Sequence, residues 1–216
     1  DLQVVDPDID DESGYSFDLG LRKMEFRSLY FEGGFFYILY DNRIGEVIDD
    51  GLRLRTNIGA AEIYGFELYA ELELMSLFKE NSEHRLSIFY HGSINRGEYT
   101  NINDRALVGV RDGNRLEDLP NYNVKTGLTY ANKRFTASLQ GTFVGLQFSD
   151  AANTVSPFNG VFGPVPSYQV FDLTASYLFR PAVRFEFSIN NFLDESYFTR
   201  RATVYPGPGI IPAQPR

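Results

Sequence analysis

The sequence has no cysteine, no tryptophan, and only two histidines and two methionines in 216 residues. Without thiols there is no disulfide framework, no thiolate metal site and no cysteine nucleophile. No apolar run approaches the roughly 18 residues that a membrane helix needs, although 43% of the chain is hydrophobic. The net charge of −9 excludes the basic face of a nucleic-acid binder. Phosphate-cradling motifs are missing as well: there is no P-loop and no Gly-x-Gly-x-x-Gly between a strand and a helix. The opening Asp1-Leu2-Gln3-Val4-Val5-Asp6 lacks the basic and apolar segments of a secretory signal. The chain is therefore either cytosolic or cut away at its start, and the remaining pattern favours the second.

What is present is aromatic and alternating: 14 Tyr and 19 Phe, set in segments of period two. In residues 64–74, Tyr64, Phe66, Leu68, Ala70, Leu72 and Leu74 alternate with Gly65, Glu67, Tyr69, Glu71 and Glu73. A helix would scatter those carboxylates around its surface, whereas a strand collects them on one face. The same alternation predicts strands at 15–22, 85–92, 123–130, 135–143, 171–179 and 183–190. Residues 28–40 are apolar on both parities and enter on β-propensity alone.

The connections alternate in length. They run short (about 23–27), long (41–57), short (75–83), long (96–121), short (131–133), long (146–166), short (180–182) and long (192 onward). Outer-membrane barrels have this asymmetry, with tight periplasmic turns and extended outer loops. Lipid cannot hydrogen-bond an open sheet edge, so strands cross a bilayer only as a closed barrel. The fold class is therefore all-β: an antiparallel transmembrane β-barrel segment of about eight strands. Tyr15, Tyr130, Phe135, Tyr177, Phe179 and Phe185 near strand ends suit an interfacial girdle. A passive porin-like channel and a soluble all-β binding module remain as alternative readings.

Catalytic and metal chemistry find little support. Asp6-x-Asp8-x-Asp10 resembles the start of an EF-hand, but Asp11 stands where Gly is required and Phe17 where Glu is. His84 and His91 are an odd number of residues apart, so they face opposite sides of a strand and cannot share a metal. No Ser/His/Asp set can be assembled from them. The chain reads as no enzyme, with no cofactor. The better ligand candidates are arginines in the long loops, Arg105, Arg111 and Arg115, with Arg200 and Arg201 near the end. A guanidinium fork suits the carboxylates of an anionic ligand. The competing reading pairs Arg200 and Arg201 with Asp194, Glu195, Glu71 or Glu73.

Residues 185–212, FEFSINNFLDESYFTRRATVYPGPGIIP, resemble the end of a TonB-dependent outer-membrane receptor. The family's N-L/F-x-D-x-x-Y pattern falls on Asn191, Phe192, Asp194 and Tyr197. Residues 57–69, NIGAAEIYGFELY, are similar to a recurrent N-x-G-x-A-x-x-x-G-x-E strand start, with Asn57, Gly59, Ala61, Gly65 and Glu67 in place. The run 197–212, together with QFSDAANT and Val165-Pro166-Ser167-Tyr168, resembles the ferric-citrate (FecA-like) branch. This resemblance implies a 22-stranded barrel filled by an N-terminal plug. Residues 1–216 would then be the C-terminal part of that barrel, with the plug, the earlier strands and the last strand absent. It further implies the cell outer membrane, uptake of a ferric chelate with ferric citrate first, energy from TonB-ExbB-ExbD, and contact with outer-membrane lipid and lipopolysaccharide.

Overall fold

The computed structural model describes residues 3–25, 28–49, 52–79, 82–102, 109–156, 160, 162–202 and 209–213. Its strands are β1 (Gln3–Val5), β2 (Ser13–Glu25), β3 (Leu29–Asp49), β4 (Leu52–Glu73), β5 (Arg85–Ile102), β6 (Tyr122–Ala131), β7 (Phe135–Val144), β8 (Gln147–Phe148), β9 (Pro164–Val165), β10 (Tyr168–Arg180), β11 (Val183–Ile189), β12 (Phe198–Ala202) and β13 (Gly209–Pro212). One sheet carries β2 through β7, then β10 and β11, each antiparallel to the next, and β1 adds in parallel to β4. β8 with β9 and β12 with β13 make two small hairpins. This is the all-β, antiparallel barrel segment that alternation and loop length predicted.

Register turns the alternation of single strands into two continuous faces. Leu19 pairs with Phe35, Phe35 with Phe66, and Phe66 with Ile94. Further round, Ile88 pairs with Leu128, Leu128 with Leu139, Leu139 with Leu173, and Leu173 with Ile189. Directly opposed residues share a face, so these rows form one apolar surface. Much of it is open: Leu19 is 76% exposed, Ile94 63% and Phe185 61%. A water-soluble sheet would bury such a face. The other face runs Arg22, Glu32, Tyr69, His91, Lys125 and Thr142 across six successive strands.

The apolar face has limits at both ends. Toward the long loops, Tyr37 and Tyr64 lie 6.3 Å apart between centroids, and the Tyr37 hydroxyl donates to Glu62 at 2.8 Å. Arg96 stands opposite Tyr64 in that row and bridges at 2.6 Å to Glu98, which opposes Glu62 in the next, so the surface becomes charged there. Toward the short turns, Tyr130 meets Phe135 at 6.2 Å, His84 stacks on Tyr130 at 5.9 Å, and Phe135 pairs with Tyr177. From Tyr64 to Glu73 the strand covers about 30 Å, or about 23 Å of height at a tilt of about 40°, close to the apolar band of an outer-membrane barrel.

Residues 41–57 correct the sequence reading. Residues 41–49 and 52–57 are not loop but the far ends of β3 and β4, paired out to Asp49 and Leu52. Asn42 stands at φ 51° where the register shifts, so the polar Asp41-Asn42-Arg43 run makes a bulge and the hairpin continues. β5 likewise extends to Ile102, inside the expected 96–121 loop. His84 and His91 do fall on opposite faces: His84 Nδ1 lies 2.6 Å from the Tyr130 hydroxyl, and His91 meets Tyr69 on the inner face.

Candidate functional site

The ends of β3, β4 and β5 rise past the apolar band, and the long connections fold onto them. Ile58, Ala61, Tyr99, Leu116 and Ala151 bury one another there, backed by Tyr40, Leu54 and Ile63. The apolar face of the sheet below carries no core of this kind among the described residues. This small cluster holds the loops against the strand ends.

Polar contacts then fix the loops to each other. The Tyr99 hydroxyl donates to Glu117 Oε2 at 2.8 Å. Burial pushes the Tyr99 phenol far above the ordinary tyrosine range, and the Glu117 charge adds to that. Asn114 Nδ2 donates to the Ala151 carbonyl at 2.8 Å, and Asn153 Nδ2 to the Arg115 carbonyl at 2.7 Å. Asn153 Oδ1 in turn accepts the Arg115 amide at 2.6 Å. At the base, Asn57 is buried and ties the chain start to the β3–β4 hairpin: it accepts from the Asp10 amide and donates to the Asp10 and Asn42 carbonyls. Thr56 Oγ1 donates to Asp6 Oδ2 at 2.6 Å, so the acidic opening is a docked turn.

The predicted arginines divide by role. Arg115 donates to the Leu119 and Leu146 carbonyls and lies over the Phe148 ring. Arg201 forks onto the Pro164 carbonyl at 3.0 and 2.8 Å, reaches the Gly160 carbonyl at 2.9 Å, and covers Phe198. Both act as clamps on loop backbone. Arg111 and Arg200 are exposed. Arg200 lies near Asp118, whose carboxyl is raised by burial while the Arg200 charge opposes that rise. Arg105 falls outside the described residues.

The motif residues build turns. Asn191 is 1% exposed at φ 48°. Its amide donates to Asp172 Oδ1 at 2.8 Å, and its side chain both donates to and accepts from the Glu195 backbone at 2.9 Å. Phe192 packs on Phe171, Asp194 closes the turn at φ 58°, and Tyr197 stacks on Tyr168 with centroids 4.5 Å apart. Gly65 leaves room for the Phe36 ring, which a Cβ there would meet at 2.6 Å. Glu67 is exposed on the inner face. Sequence reasoning missed Tyr99, Glu117, Asn114 and Asn153, whose partners lie far along the chain or in irregular backbone.

Residues 2–192 match the family model described as TonB dependent receptor-like, beta-barrel. Among solved structures, the unliganded ferric citrate transporter FecA is 25% identical with a TM-score of 0.76, over 94% of this chain and 29% of that one. The ferric yersiniabactin uptake receptor FyuA from Yersinia pestis is 18% identical, TM-score 0.67, over 93% of this chain and 28% of that one. The copper transporter OprC is 18% identical, TM-score 0.70, over 94% and 30%. The chain spans less than a third of the length of the structures it matches.

Proposed function

This chain belongs to the TonB-dependent receptor β-barrel family, and from that premise we propose that it is a wall segment of an outer-membrane receptor importing a ferric chelate, ferric citrate first. The observation that carries this reading is the pairing of two features on one sheet. An apolar band bounded by aromatic rows meets lipid, and above it an interlocked loop cap presents Arg111 and Arg200 to the outside. Ferric citrate is anionic, and exposed guanidinium groups suit its carboxylates. The FecA likeness at 25% identity supports that ligand over the others.

In the whole receptor, an N-terminal plug and further strands would complete a barrel of about 22 strands, within the size range of such proteins. TonB with ExbB and ExbD would supply the energy for moving the plug, and lipid with lipopolysaccharide would surround the apolar band. Residues of this chain provide wall, loop geometry and ligand contacts; none is assigned a catalytic role.

The test is uptake of radiolabelled iron citrate by cells with and without the full-length gene. Uptake that needs the gene and collapses with a protonophore supports an energised importer. Gene-dependent uptake that persists with the protonophore points to a passive channel and overturns the reading.

A further inference from the structure

The inner face of the sheet divides into two sectors. On β2, β3 and β4 it carries Asp18, Glu32, Glu67, Glu71 and Glu73, with Arg22 bound to Glu32 through a two-pronged ion pair at 2.9 and 3.0 Å. Bulky rings stand among them: Tyr30 and Tyr69 meet edge to face at 5.8 Å. On β6, β7 and β10 the same face carries short uncharged side chains, among them Thr129, Ser138, Gln140, Thr142, Thr174 and Ser176. Thr129 and Ser138 hydrogen-bond each other at 2.8 Å. From Asn123 to Ala131, Phe135 to Val144 and Tyr168 to Leu178, Lys125 and Asp172 are the charged side chains at inner positions among the described residues, and they have opposite signs; Arg180 stands at the short-turn end of β10, past a register shift.

The two sectors differ as surfaces for a solute. A wall of carboxylates raises the local potential against an anion, while a wall of hydroxyls and amides leaves it near neutral and exchanges hydrogen bonds with water. Short side chains also leave more space beside the wall. At the long-loop end of the neutral sector lies a recess of about 230 Å³ lined by Thr142, Tyr168, Asp172, Asn190, Tyr197 and Thr199. The stacked Tyr168 and Tyr197 rings form one side of it, and the Asp172 carboxylate there is already engaged by the Asn191 amide.

We infer that an anionic cargo passes along the neutral sector of β6, β7 and β10, entering at the recess beside Tyr168, while the acidic sector of β2 to β4 excludes it. This rests on the import reading above. The charged and aromatic strands serve as the holding side of the lumen; the hydroxyl strands are its passage side.

Cysteine reactivity tests this without any cargo, because the chain has no cysteine of its own. In the purified full-length receptor, Ser138→Cys and Thr174→Cys probe the neutral sector, and Gly20→Cys and Gly34→Cys the acidic one. At Gly34 a Cβ would meet backbone no closer than 3.5 Å, so that substitution is accommodated. Each is treated with anionic 2-sulfonatoethyl and cationic 2-trimethylammonioethyl methanethiosulfonate, relative to the unsubstituted receptor. The neutral-sector cysteines should react with the anionic reagent about tenfold faster than the acidic-sector ones, a size set by charge focusing. The cation-to-anion rate ratio should rise at Gly20→Cys and Gly34→Cys. Equal anion rates in both sectors, or sealed neutral-sector cysteines, would overturn the inference. Failure of the import reading would show separately, in the uptake assay, with these rates unchanged.

Discussion

The Tyr99 hydroxyl donates to the Glu117 carboxylate at 2.8 Å, joining the outer end of β5 to the loop that returns toward β6. Tyr99 is fully buried, and it sits in the cluster that includes Leu116 and Ala151. One side chain thus couples strand, loop and loop core.

Tyr99→Phe keeps the ring and removes the bond, leaving Glu117 without that donor. The expected cost is about 1–3 kcal/mol of local stability. It should appear as faster proteolysis within residues 109–121, with the heat-resistant mobility of the folded barrel on gels unchanged.

The same phenol gives a pH dependence. Its folded pKa is raised by burial above the unfolded value of about 10. Its contribution is therefore complete below the unfolded pKa and is lost as pH rises beyond it. Loop protection should fall above about pH 10 in the parent and fall less steeply in Tyr99→Phe. Identical alkaline limbs would contradict the burial of this group.

Arg200 and Arg201 should separate cleanly. Arg201→Lys loses the fork onto the Pro164 carbonyl and the reach to Gly160, so it should loosen residues 160–165 to protease. Arg200→Ala should leave protease patterns alone and weaken ferric citrate binding about tenfold, the loss of one charge-assisted contact worth about 1.5 kcal/mol. Unchanged affinity in Arg200→Ala would remove it from the ligand site.

Asn191 tests the turn after β11. Asn191→Gly keeps the positive φ but loses both side-chain bonds to the Glu195 backbone; Asn191→Ala loses the bonds and strains the backbone as well. Both should reduce folded receptor in outer membranes, Ala more than Gly by about 1 kcal/mol. Equal yields for the two would mean the left-handed backbone matters little there.

The lipid and inner faces can be told apart on one strand. Leu68→Arg places a charge in the apolar band at about 2–4 kcal/mol near the midplane, while Glu71→Arg stays on the polar face and should cost much less. Folding into lipid vesicles followed by denaturant titration measures both.

The legible part of the fold was the part in which each strand separates an oily face from a polar one. β4, β6, β7, β10 and β11 fit that description, and their alternation located them. β3 was faint, because Phe36, Ile38 and Tyr40 are apolar on the inner parity as well. The extension of β3 and β4 over 41–49 and 52–57 left no signal: it stands clear of the band, and Asp41-Asn42-Arg43 has the composition of a turn. Guanidinium groups in the loops were visible by type, yet their division into clamps and exposed charges depends on carbonyls such as Pro164, Gly160 and Leu146. Every residue carries such a carbonyl, so sequence alone cannot mark which one is used.

The most direct test of the central claim is equilibrium binding of ferric citrate to the purified full-length receptor, in competition with ferric catecholate, ferric hydroxamate and copper(II). The expected result is saturable binding of ferric citrate that the others do not displace and that Arg200→Ala weakens. Saturable binding of copper(II), or no binding of any ferric chelate, would contradict it.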